Sequence, residues 1–449
     1  MPDCSERNQT HAQFCPQLSN GPAVTRHVIV IGAGIVGVST AIWLQRAGAQ
    51  VTIIDRAGPG KGTSHGNAGV LAACAVAPVT APGLLTKAPV MLMHPDVPLY
   101  LRLSYLPRLL PWLGKYLSVA NDTDTKRISA GLAPIVSDSI DQHKSLTADL
   151  GLSDWIADSD YVFAYRTRAA FDAEAYTWAL RARAGFTPEL IKGPAIRDYE
   201  PALGQDITLL ATMKDHGFIR DPGGYVAALA QAFTQGGGTI MKAEVKDFDL
   251  TGGTVAAVQT DQGAVACDDI VLATGVWSKP LMAKLGLSIP LETERGYHII
   301  FGDATGGPSR PTMIASGKFV ATPMAQGLRC AGILEFGGLD ARPSKAPLAL
   351  LRRQAKAAFP NLTATSEVEW LGHRPAPSDS LPLIGQIGTS RVYTAFGHHH
   401  IGLTGGPKTG RLVAGLIMGQ PGNTDIRPYA PQRFGKSNLA NITNSTRRD

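Results

Sequence analysis

The period of the apolar positions changes along the chain, and each change marks an element. Val28-Ile29-Val30-Ile31 is an unbroken apolar run, the pattern of a strand covered on both faces. The spacing turns helical up to Gly48, and Val51-Thr52-Ile53-Ile54 reads as strand again. Residues 78–111 mix prolines with leucines and aromatics and predict short helices broken by proline. Residues 122–150 read as helix ending at Gly151, 161–165 as strand, and 173–184 as helix. Further on, 225–235 is helical and 239–245 is strand-like, and 254–260 with 264–267 suggests a small meander. Residues 269–275 form a buried strand ending in Ala-Thr-Gly. Alternation over 297–301, 319–323 and 328–334 predicts an antiparallel sheet in a second domain. A strand at 392–395 then leads through glycines into a helix reaching Met418.

The junction after the first strand reads Gly32-Ala33-Gly34-Ile35-Val36-Gly37, and Asp55 closes the second strand. Strand, G-x-G-x-x-G, helix, strand and acid form the dinucleotide-binding βαβ unit. Gly32 permits the turn, Gly34 admits a pyrophosphate, and Gly37 lets helix and strand pack closely. The helix N-terminus offers free N–H groups and its positive dipole end to phosphates. Asp55 is placed to accept from a ribose. The glycine-rich run from Gly58 to Gly69 follows at once and can lie flat against a ligand. The 397–407 junction offers negative charge a second helix N-terminus.

Composition narrows the classes. A chain of 449 residues, 44% hydrophobic and 17% charged, can hold more than one core. Its net charge of +6 is spread without a basic block suited to nucleic acid. The five cysteines are scattered, without C-x-x-C, which fits reduced thiols in a cytosolic protein. Residues 1–26 are polar and predict a disordered leader, not a signal peptide; 421–449 read as a tail. There is no P-loop. His398-His399-His400 does not predict a metal site, since consecutive side chains alternate faces on a strand; one of them lying over a cofactor fits better.

The glycine motif, Thr63-Ser64-His65-Gly66-Asn67-Ala68-Gly69, Ala273-Thr274-Gly275, and the stretches 372–385 and 397–404 come in an order that resembles the D-amino-acid oxidase/dehydrogenase superfamily of FAD enzymes. The bacterial D-amino-acid dehydrogenase branch is the most similar. The resemblance covers about residues 27–418. It implies an α/β fold: a Rossmann-like FAD-binding domain of the glutathione-reductase type (27–80, 216–287, 371–420) and an α+β substrate domain with an antiparallel sheet (81–215, 288–370). It also implies oxidation of an amine carbon next to a carboxylate. The cofactor candidates are Gly32, Gly34, Gly37, Asp55, Arg56, Ser64, Asn67, Gly69, Val70, Val245, Thr274, Gly275, Gly402, Leu403 and Thr404. Trp370-Leu371-Gly372-His373-Arg374 lacks the cysteine that tethers flavin in sarcosine-oxidase-like relatives, and His65 has no glycine in the register of a histidine tether. FAD is therefore expected to be held non-covalently. Glu294-Arg295-Gly296-Tyr297-His298 departs from the dehydrogenase branch and leaves the substrate open.

Such a reaction transfers hydride from Cα to flavin N5 and gives an imino acid that hydrolyses to a 2-oxo acid. The protein must anchor the carboxylate, and arginine suits this because its fork pairs bidentately. Arg295 and Arg374 are the candidate anchors, with Tyr297 as a helper and His400 near the flavin. Competing readings are a secondary or cyclic amino acid as substrate, an NAD(P)-dependent dehydrogenase with Arg56 on a 2′-phosphate, and a non-catalytic flavoprotein. The expected electron acceptor is a quinone, another respiratory-chain component or oxygen. The expected location is the cytoplasm or a peripheral position at the inner membrane.

Overall fold

The computed structural model describes residues 25–84, 98–420 and 422–435. The leader up to residue 24, part of the proline-rich stretch (85–97) and the end from 436 lie outside them. Two large sheets organise the rest. The first has six strands in the order Leu383–Gln386, Val392–Phe396, Asp269–Leu272, His27–Ile31, Gln50–Ile54, Thr239–Met241. All neighbours run parallel except the first pair. Helix Ile35–Arg46 packs on this sheet beside Pro222–Gln235 and Gly402–Ile417. Both faces are covered, which is why Val28, Ile29 and Val30 are each fully buried. The meander Val245–Thr251, Thr254–Thr260, Gly263–Ala266 matches expectation, but the chain leaves the sheet at Met241 before starting it.

The second sheet has ten strands, mostly antiparallel, with parallel pairings at Thr312–Ile314 on Ile156–Tyr165 and at Leu99–Leu101 on Gly327–Phe336. Its edge pair, Leu291–Gly302 with Ser366–Pro377, positions the site. Because Ser366–Pro377 pairs along its whole length, residue 371 falls inside the strand, and the chain rejoins the first sheet only at Leu383. Likewise strand Leu209–Ile219 runs through the boundary expected at 216. A long strand cannot be divided where a motif begins.

Two further expectations are corrected. Pro111 does not break its element: helix Leu106–Ser118 runs through it. The segment after 420 is no free tail as far as Gly435. Tyr429 is buried with its hydroxyl on the Gly131 carbonyl, and Arg433 forks onto Asp379.

Candidate functional site

A cavity of about 470 Å³ opens at the carboxyl ends of the parallel strands. The three motif glycines act there in different ways. A Cβ on Gly32, which has φ +107°, would stand 2.6 Å from the Ala273 carbonyl oxygen. One on Gly37 would stand 1.9 Å from the Gly32 oxygen. One on Gly34 would meet only Ser64 Oγ, at 3.3 Å, and would project into the cavity. Gly32 and Gly37 thus hold the turn against the sheet, and Gly34 keeps the floor open.

Asp55 lines the cavity and also braces it. Its carboxylate accepts the N–H groups of Ala33 at 2.9 Å, Ala57 at 2.7 Å and Gly58 at 2.8 Å. Ser64 Oγ accepts from Ile35 N–H at 3.0 Å, pinning the glycine-rich loop to the helix N-terminus. Asn67, Val245, Thr274, Gly275, Gly402 and Leu403 complete the lining. Arg56 is there too, but its guanidinium lies 4.7 Å from the centre of the Trp277 ring. Four expected contacts stand behind the lining instead. Gly37 packs as above, and Gly69 and Val70 join strand Leu209–Ile219 through the Gly69 carbonyl and the Val70–Phe218 pair. Thr404 Oγ donates to the Val70 carbonyl at 3.3 Å.

Side chains alternate faces along a strand, and residues opposite in register share a face. Glu294 is opposite Arg374, Gly296 opposite Gly372, and His298 opposite Trp370. On this face the Arg374 guanidinium lies over Gly296, where a Cβ would come within 2.5 Å of Cζ. The Trp370 indole lies over Gly372 and Gly66, each of whose Cβ would be 1.9 Å away, and stacks on His298 at 5.0 Å. Arg329 donates to the carbonyls of His65 at 3.0 Å and Asn67 at 2.6 Å, clamping the glycine-rich loop to the sheet. Helix Leu106–Ser118 closes the same face, with Trp112 Nε1 donating to the Ala376 carbonyl.

Arg295 and Tyr297 have the other parity and face away from Arg374. The Arg295 guanidinium donates to the carbonyls of Ala341 and Arg342 and lies 3.4 Å from Glu335. Tyr297 donates to Glu335 and accepts from the Ser344 N–H. Both expected roles are corrected: these residues tie strands to the 337–344 loop. Among the described residues, no hydrogen bond or ion pair closes on the Arg374 guanidinium, which is only partly buried. Of the two candidate anchors it is the one whose fork is free.

The three histidines diverge. His398 Nε2 bonds Thr409 Oγ at 2.8 Å inside the fold. His399 has φ +53°, a strained conformation of the kind that gathers at functional sites, and its N–H donates to the Pro375 carbonyl. Its Nε2 lies 3.3 Å from Glu294 Oε1. His400 is exposed, with Nδ1 3.3 Å from that of His399. Burial, reinforced by Arg374, lowers the His399 pKa to about 3. Burial raises that of Glu294 to about 7, against the pull of Arg374. Among the described residues no three His, Cys, Asp or Glu side chains could hold a metal ion. Glu294, Trp370 and Arg329 are not among the residues the sequence points to, and of the three histidines it is His400, not His399, that the sequence places near the flavin. The signal available for Glu294 was the alternation Glu292, Glu294, Gly296, His298, polar or small on one face of an otherwise buried strand.

A family model for FAD-dependent oxidoreductases (DAO) matches residues 27–416. The chain is 38% identical to a D-amino-acid oxidase of Bradyrhizobium diazoefficiens, over 91% of this chain and 99% of that one. It is 28% identical to a D-amino acid dehydrogenase of Rhizobium rhizogenes, over 91% and 100%. A solved glycine oxidase from Geobacillus kaustophilus superposes with a TM-score of 0.70 at 19% identity, covering 91% of this chain and 99% of that one.

Proposed function

The chain belongs to the DAO family of FAD-dependent oxidoreductases, and from that premise we propose that it oxidises the C–N bond of a free D-amino acid, with Arg374 holding the carboxylate. It is an oxidoreductase acting on amino acids and its cofactor is FAD. The observation that carries the site assignment is the free Arg374 fork on the face that also presents Glu294.

The residues present fit the cofactor. The Gly34 floor is open, first-turn N–H groups face the cavity, and Asp55 stands at the end of its strand. None of the described cysteines lines the cavity, and the His65 ring is turned against Gly223, which supports a non-covalent flavin. FAD supplies the two-electron acceptor when bound. The protein's own part is placement. Arg374 replaces the water lost by the carboxylate with a planar, charged fork. The Trp370–His298 stack and helix Leu106–Ser118 enclose the same face and limit water.

The rival substrate is a secondary or cyclic amino acid, such as sarcosine, proline or hydroxyproline. For the acceptor we propose a quinone or another respiratory-chain component, with oxygen as the rival favoured by the name of the 38% relative. No described helix is long and apolar enough to cross a membrane. Leu103 and Leu110, 78% and 55% exposed, support a peripheral membrane contact. An anaerobic panel of D-amino acids, L-amino acids and N-methyl or cyclic amino acids, followed by flavin bleaching, tests the reading. Reduction by D-amino acids is expected; a flavin bleached only by secondary amines would replace the reading with its rival.

A further inference from the structure

The mechanism above uses Arg374 but leaves a buried acid beside it without a role. Glu294 is 2% exposed, directly across the strand pair from Arg374 and on the same face. An amino acid enters as a zwitterion, one carboxylate and one ammonium on the same carbon. A pocket that meets only the carboxylate leaves a desolvated cation unpaired, at a cost that grows with burial. Arg374 and Glu294 together match both charges, and the pocket stays neutral overall.

We propose that Glu294 receives the substrate ammonium and takes its proton, and that His399 passes this proton to His400 and solvent. The inference rests on the amino-acid reading of the site. The step balances. The R–CH(NH3+)–COO⁻ substrate gives one N–H proton to the Glu294 carboxylate. The Cα hydrogen then leaves with its electron pair to oxidised FAD, which is reduced by two electrons, and the nitrogen lone pair closes the C=N bond. The product leaves as an iminium, and water converts it to a 2-oxo acid and ammonium. The neutral amine is the form that can lose hydride, so a base at this place has a purpose.

The path for the proton is laid out. His399 Nε2 is buried and 3.3 Å from Glu294 Oε1, without the alignment of a hydrogen bond, so it has no other described partner. Contacts of this kind tighten when a ligand binds. On the far side of the ring, Nδ1 meets His400 Nδ1 at 3.3 Å, and His400 reaches the surface. A neutral imidazole can take a proton at one nitrogen and release one at the other.

The groups facing Glu294 are Arg374 from the neighbouring strand, His399 with His400 from the 397–402 loop, and Tyr116 from helix Leu106–Ser118. Burial keeps Tyr116 well above the ordinary tyrosine range, and burial with Arg374 holds His399 well below that of imidazole. Glu294 is the member of this set left to titrate near pH 7.

The test uses flavin-loaded enzyme mixed anaerobically with a D-amino acid, with the reduction rate followed against pH. Glu294→Gln should lower the rate at pH 7 at least 30-fold. It should also move the basic rise of the profile from about 7 up towards the ammonium's own pKa. A 2-oxo acid, which lacks the amine, should perturb the oxidised flavin spectrum with the same affinity in wild type and Glu294→Gln. His399→Asn keeps a residue that tolerates positive φ and should slow reduction, with partial rescue by added imidazole. An unchanged pH profile in Glu294→Gln would overturn the inference and leave the amino-acid reading intact. So would equal loss of 2-oxo-acid binding, which would mark a merely structural residue. A wild-type flavin that no amino acid reduces would instead overturn the reading, and this inference with it.

Discussion

The two halves of the site are built by opposite means. The cofactor cavity is made mainly of backbone: a glycine turn, helix N-termini and loops whose N–H groups are organised by Asp55 and Ser64. The face proposed for the substrate is made of side chains, Arg374, Glu294 and Trp370 with His399, projected from two strands and a loop far apart in sequence. A backbone cradle fails when an atom is added. A side-chain site fails when an atom is removed. Within the substrate half the same contrast recurs between the two arginines: Arg295 is used up by carbonyls and Glu335, whereas Arg374 has its fork free.

The largest effect should come from adding one methyl group to the cradle. In Gly37→Ala the new Cβ would lie 1.9 Å from the Gly32 oxygen, a backbone atom that cannot yield without moving the first strand. The expected outcome is no soluble, flavin-bearing protein, measured by yield and absorbance. A yellow Gly37→Ala protein would break the claim that the cradle is a backbone device.

Next comes Arg295→Ala, which removes one partner of a buried ion pair. It should destabilise the fold by about 3–5 kcal/mol, towards the lower end because Arg102 still reaches Glu335 at 3.1 Å. Chemical denaturation measures this. If folded Arg295→Ala instead lost substrate affinity at unchanged stability, the two arginines would have to exchange roles.

How much of this could be read in advance follows from the same contrast. The cradle was legible because glycine spacing and strand ends are local in sequence: Gly32, Gly34, Asp55, Ser64 and Thr274 were all selected, and all line the cavity. Gly69, Val70 and Thr404 were misplaced by one layer, since sequence does not show which side of a loop the next element covers. Parity decided the substrate half. Arg295 and Glu294 are neighbours in the chain, so they point to opposite faces, and the register that puts Glu294 on the face of Arg374 comes from pairing with a strand some eighty residues away. Strand Ser366–Pro377 crosses the boundary expected at 371 for a related reason, because its pairing with Leu291–Gly302 continues unbroken through Arg374 to Pro377.

A smaller effect concerns pH. Burial keeps His143 at about 4 and His298 at about 3 in the folded protein, against about 6.5 when unfolded. Below pH 6.5 the unfolded chain therefore binds more protons than the native one, and stability falls as pH falls. His143 alone should remove about 3 kcal/mol by pH 4. His143→Gln should flatten that part of the melting-temperature profile; an unchanged profile would mean that burial beside Tyr225 and the Leu403 carbonyl does not hold it neutral.

The central claim is that Arg374 alone among the candidates meets the substrate carboxylate, and spectral titration of oxidised, flavin-loaded Arg374→Ala with a 2-oxo acid tests it most directly. The account predicts full FAD content with carboxylate affinity weakened by about 2–5 kcal/mol, roughly 30- to several-thousand-fold. Lysine at this position should restore only part of it. Wild-type affinity in a folded, flavin-loaded Arg374→Ala enzyme would contradict the account.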